Sequence, residues 1–171
     1  MLRYMAALFV PVGLVILSGC SAKDVGSLPE ELLPSVAAAA LEDGTDFELL
    51  SLEPNGGEET EGENRFHGFE ILGALAIEDP ATQAEIMAAF KRGIADNTEQ
   101  IVAACFAPRH GVRVSHEGKV HDFVICFECY ITTWYVDGER AGNMNPTNVG
   151  QPVFDRVLRD AGIRLPKPAG P

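Results

Sequence analysis

The order of patterned segments predicts an α+β domain: an antiparallel sheet of about 4–5 strands with two helices packed on one face, in the order ββαβββα. Three observations carry this. Two stretches, residues 80–97 and 151–162, repeat apolar residues at helical spacing. The stretch between them reads as strands divided by Glu117-Gly118 and Asp137-Gly138 turns. The regular strand-helix alternation of a doubly wound fold is absent.

Composition sets the outer limits. The 171 residues are 46% hydrophobic and 22% charged, the balance of a folded domain, and the length suits one domain once a targeting segment is set aside. Net charge is -12 with a pI near 4.6. Such a surface repels phosphate backbones and anionic lipid, so nucleic-acid binding is not expected and membrane association needs another cause.

The N-terminus supplies that cause. Arg3 precedes an apolar run from Met5 to Leu17, which is shorter than the roughly 20 residues of a membrane span but long enough for a signal-peptide core. The run ends in Leu17-Ser18-Gly19-Cys20, which resembles the lipobox of bacterial lipoproteins. That resemblance implies cleavage before Cys20, lipidation of its thiol and acylation of the new amino group. Ser21 is not the aspartate of an inner-membrane retention signal. The expected address is therefore the periplasmic face of an outer membrane, with anchoring by several acyl chains.

The expected layout is a signal peptide over residues 1–19, a lipidated terminus and tether over 20–46, one domain over 47–165 and a proline-rich tail over 166–171. Within the tether, residues 35–43 have the composition of a short helix with Ser35 as cap. Residues 47–54 read as a first strand. The glutamate- and glycine-rich stretch 55–64 lacks the spacing of a calcium loop and reads as a solvated turn, and residues 65–77 as a second strand. Asp79-Pro80 opens a helix with a carboxylate cap and proline in the first turn. Ile86, Phe90 and Ile94 form its stripe, and it resumes through residues 98–106. Residues 112–116 and 120–136 follow as strands, with a further short one near residue 141. Val153, Phe154, Val157 and Leu158 then stripe a last helix that Gly162 closes.

The candidate chemistry lies between Cys105 and Cys129, a stretch holding three of the chain's four cysteines. Along a regular strand 120–136, His121, Phe123, Ile125, Phe127 and Cys129 share one face, and Asp122, Val124, Cys126 and Glu128 the other. Three extended residues span about 10 Å, beyond the ~7 Å that a disulfide tolerates, so a C-x-x-C redox pair at Cys126 and Cys129 requires a bulge or turn. In an oxidising compartment the favoured reading is a staple from Cys105 to Cys126 or Cys129, with one thiol left free and a value on the order of 3 kcal/mol. The alternative is a soft-metal site, zinc above all, on Cys105, His110, Cys126 and Cys129. His116 and His121 flank the hairpin turn and read as solvated. Arg109 and His110 read as a surface pair.

The segments Cys105-Phe106-Ala107-Pro108-Arg109-His110-Gly111 and Ile125-Cys126-Phe127-Glu128-Cys129 resemble a pattern in small bacterial envelope proteins. The resemblance spans roughly residues 66–165. It implies a shared fold and carries no known activity. The chain has no G-x-S-x-G, no H-E-x-x-H and no Gly-rich phosphate loop, which leans against an enzyme. The expected function is a membrane-anchored envelope lipoprotein that acts as a non-catalytic binding or structural module for a protein or small-molecule partner. The alternative is a metal-binding or thiol-redox protein built on the cysteine cluster.

Overall fold

A computed structural model describes residues 28–55 and 64–167. The expected signal peptide over residues 1–19, Cys20 and most of the acidic stretch 55–64 lie outside the described residues. The elements are α1 (Ser35–Asp43), β1 (Thr45–Leu52), β2 (Arg65–Phe66), β3 (Phe69–Ala76), α2 (Pro80–Asp96), β4 (His110–His116), β5 (Lys119–Cys126), β6 (Ile131–Val136), β7 (Glu139–Met144) and α3 (Gln151–Asp160). The strands form one curled antiparallel sheet, a half-barrel, in the order β2-β3-β1-β4-β5-β6-β7.

The α+β class is as expected, but the sheet has seven strands rather than about 4–5, and three helices pack on it rather than two. Two stretches read as single strands are hairpins. Residues 65–77 reverse at His67-Gly68, and residues 120–136 reverse between Cys126 and Ile131. Glu117-Gly118 and Asp137-Gly138 connect β4 to β5 and β6 to β7. Each places both residues at positive φ (49° and 76°, 50° and 84°), the twist that a two-residue hairpin loop needs.

The helices cover one face. Ala37 and Leu41 of α1, Ile86 and Phe90 of α2, and Phe154 and Leu158 of α3 share a buried cluster with Leu49, Val112, Phe123, Ile125, Trp134 and Met144 of the sheet. Burying each large apolar side chain contributes roughly 1.5–3 kcal/mol, so this layer supplies most of the driving force. A smaller cluster of Leu50, Leu52, Phe66, Phe69 and Val124 sits on the other face. Here Gly111 is needed for close approach, because a Cβ would stand 2.7 Å from Phe66 Cε1.

The α1 helix corrects the tether boundary. It lies inside residues 20–46, yet Leu33, Ala37, Ala40 and Leu41 are core residues and Lys91 of α2 pairs with Glu42. Ser35 is not its cap but its first residue, and its N–H donates to Glu30 Oε2 over 2.9 Å. The α2 helix starts as read: Asp79 accepts from Ala81 N at 3.2 Å and Thr82 N at 3.1 Å. The Thr82 hydroxyl and those two N–H groups hold the Asp79 carboxyl below its ordinary value. It ends at Asp96, and the expected resumption over residues 98–106 is instead a turn followed by an irregular loop. Gly162 (φ 74°) closes α3. The chain then crosses β1, where Ser51 Oγ donates to Arg164 O over 2.8 Å.

Candidate functional site: a three-cysteine cluster

The cluster forms where a turn interrupts what reads as one long strand. The β5 strand stops at Cys126, Tyr130 N donates to Phe127 O over 3.4 Å, and Tyr130 takes the left-handed φ of 57°. The turn shortens the distance from Cys126 to Cys129, with 5.3 Å between Cα atoms, and the two are joined as a disulfide. The expected staple from Cys105 is therefore not the bond observed, and Cys105 is free and exposed. It is nevertheless part of the site, because its Sγ lies 2.6 Å from Cys129 Sγ.

The loop carrying Cys105 is fixed at three points. Asn97, 4% exposed, donates from Nδ2 to Ile101 O at 2.8 Å and Asn145 O at 3.0 Å, and its Oδ1 accepts from Ile101 N at 2.9 Å. Ala103 N donates to Cys129 O over 2.9 Å, which ties the loop to the turn. At the far end Arg109 is buried, with Nε 3.1 Å from Glu128 Oε1 and Nη1 donating to Lys167 O over 2.6 Å. These contacts hold an exposed sulfur against a buried one, and Cys126 and Cys129 are each only 1% exposed. Cys129 N also donates to Cys126 Sγ over 3.2 Å, so an N–H dipole points at that sulfur.

His110, in the expected zinc set, is committed elsewhere. It is buried between the rings of Phe127 and Phe154, and its Nε2 lies 2.8 Å from Asp155 Oδ1. Burial pushes the Asp155 carboxyl up, but the His110 hydrogen bond together with the nearby charges of His110, Arg159 and Arg109 outweighs it and the net shift is downward. Arg109 and His110 are thus internal anchors rather than the surface pair expected. Among the described residues no group of three or more His, Cys, Asp or Glu side chains is placed to hold a metal ion. His121, expected to be solvated, is buried and accepts from Trp134 Nε1 over 3.3 Å. Desolvation, with His116 next, lowers its pKa.

A second polar cluster, absent from the sequence reading, lies on the helix-free face of the sheet. Asp122, 4% exposed, accepts from Arg113 Nε and Nη2, each at 2.8 Å, and its Oδ2 lies 2.8 Å from His67 Nε2. His67 stacks on Tyr135 with ring centroids 3.8 Å apart, and Arg113 lies over Phe66. Burial raises the Asp122 carboxyl, yet the Arg113 and His67 hydrogen bonds prevail and lower it. Asp122 and Arg113 are paired across strands, a signal that the sequence carries only once the β4–β5 register is known.

The chain matches no family model, no curated protein and no solved structure, so function has to be argued from this geometry.

Proposed function

We propose that this chain is a cell-envelope lipoprotein, held by lipid on Cys20, whose domain is a thiol–disulfide exchange module. This adopts the thiol-redox alternative over the non-catalytic binding module. One observation carries the choice: a disulfide with both sulfurs buried has the exposed Cys105 sulfur 2.6 Å from one of them. A staple built only for stability has no use for a third sulfur at that distance.

The exchange step follows from the arrangement. Cys105 loses its proton to solvent, and its thiolate attacks the Cys129 sulfur. The Cys105–Cys129 bond forms as the Cys126–Cys129 bond breaks, and Cys126 leaves as a thiolate that regains a proton. The N–H of Cys129, directed at Cys126 Sγ, stabilises that departing thiolate. The new disulfide has one exposed sulfur, on Cys105. An external thiolate attacks there and displaces Cys129, and a second thiolate of the same substrate then releases Cys105. The substrate dithiol has lost two electrons and two protons to the domain's disulfide. A disulfide-bearing envelope partner restores the oxidised state.

The test is disulfide mapping by mass spectrometry of the full chain, purified in detergent, alkylated, and analysed for metal. Both the Cys126–Cys129 and the Cys105–Cys129 bonds are expected, together with glutathionylation of Cys105 by oxidised glutathione and no bound metal. A single unchanging disulfide with an unreactive Cys105 would reduce the site to a staple. Three free thiols with stoichiometric zinc would overturn the proposal in favour of a metal site.

A further inference from the structure

The structure points to a partner class for that site, and we propose that the loop around Cys105 docks an extended, apolar polypeptide segment carrying a cysteine thiol. The inference rests on the exchange reading above and names its substrate.

Six large hydrophobic residues are exposed among the described residues, and three of them, Ile101 (53%), Val102 (49%) and Phe106 (37%), flank Cys105. Scattered single apolar residues need no explanation, but a contiguous run around a reactive group does. The run is also uncharged, since no ionisable side chain other than Cys105 occurs from Gln100 to Pro108 in a chain of net charge -12. Glu99 borders it on one side, and Arg109 on the other is turned inward to Glu128.

Two features make this a surface prepared for contact rather than a loose segment. Asn97, which closes a turn onto Ile101, and the Ala103–Cys129 bond fix the backbone of the loop, and Ile101, Val102 and Phe106 stay exposed on it. Phe106 meets Phe69 edge to face with centroids 5.9 Å apart, which joins the loop to the smaller apolar cluster on the helix-free face. A partner laid along the loop gains apolar contact on both sides of Cys105.

Charge selects between thiols. An anionic small thiol such as glutathione meets a strongly acidic protein and a loop with no cation to receive it. A cysteine flanked by apolar residues in an unfolded or extended chain pays no such repulsion and buries its neighbours against Ile101, Val102 and Phe106.

The experiment measures the rate of mixed-disulfide formation between the oxidised full chain, in detergent, and three thiols. These are a ten-residue peptide with cysteine among valine and leucine, the same peptide with glutamate at those positions, and glutathione. The apolar peptide is expected to react about tenfold faster than the acidic one, the gain from burying one or two apolar side chains. The exposed substitutions Ile101→Ser, Val102→Ser and Phe106→Ser together are expected to erase that advantage and leave the glutathione rate unchanged. Equal peptide rates would overturn the docking surface while leaving exchange intact. No reaction with any of the three thiols would instead overturn the exchange reading itself. A chain that forms Cys105-linked dimers and excludes the peptide would assign the surface to a second copy, against the proposal.

Discussion

The β2–β3 turn and the β5–β6 turn use the same backbone device and are held by different chemistry. Each places a non-glycine residue in the left-handed region, His67 at φ 49° and Tyr130 at φ 57°, a conformation that costs energy unless its surroundings enforce it. At His67 the enforcement is electrostatic, through Asp122 and Arg113. At the β5–β6 turn it is covalent, through the Cys126–Cys129 bond. Asp122 and Cys126 both belong to β5 and face the same side, so one strand carries a charge-held turn partner at its middle and a sulfur-held turn at its end. The first answers to pH and the second to redox poise.

Breaking each device should separate them. The largest effect is expected from Cys105→Ser, which should lower exchange with external thiols at least 100-fold, since it removes the only exposed sulfur of the cluster, while leaving the melting temperature unchanged. Next is Asp122→Ala, expected to cost about 2–3 kcal/mol in denaturant unfolding because it strips charged hydrogen bonds from Arg113 and His67. Exchange by the folded variant should persist. Reducing the Cys126–Cys129 bond, at sequence separation 3, should cost about 2 kcal/mol in the chain-entropy model. Trapping the Cys105–Cys129 isomer with Cys126→Ala, at separation 24, should restore about 3.5 kcal/mol on the same scale.

The smallest effect is the pH dependence. The folded-state pKa of Asp122 lies below the ordinary 3.8, so its stabilisation is present above that value and drains away as pH falls toward the folded value. His121 acts with the same sign in a higher window. Its pKa is lowered from 6.5, so its contribution is complete above that pH and declines as pH drops through it. Thermal melts from pH 7 to pH 3 should show both losses, and Asp122→Asn should flatten the acid end. The sulfur-held turn should not respond across this range, and disulfide mapping at each pH checks that.

The two turns also mark where the sequence was legible. Asp79-Pro80, the Ile86/Phe90/Ile94 stripe and Gly162 identify α2 and α3 because caps and periodicity are local signals. The Glu117-Gly118 and Asp137-Gly138 turns are local too. His67-Gly68 places a glycine at the turn, but the apolar run around it hides the signal. Residues 127–130 offer none. The usable warning there was length, because a strand over residues 120–136 exceeds the usual 3–10 residues. Residues 98–106 have helical composition, yet Asn97 closes a turn onto Ile101 and Cys129 O takes the N–H of Ala103, and such tertiary anchors leave no periodicity to read. The convergence of Cys105 on Cys129 depends on those anchors, which is why spacing alone favoured a different bond.

The early start of the packed domain limits its reach. Leu28 and Leu32 already pack against the core ahead of α1. With the lipid proposed at Cys20, the stretch from Cys20 to Leu28 can cover at most about 28 Å even fully extended. The tether expected over residues 20–46 would have allowed roughly three times that. On the proposed anchor, a domain on so short a leash would work close to the bilayer, and the polypeptide partner proposed for Cys105 would have to reach it there.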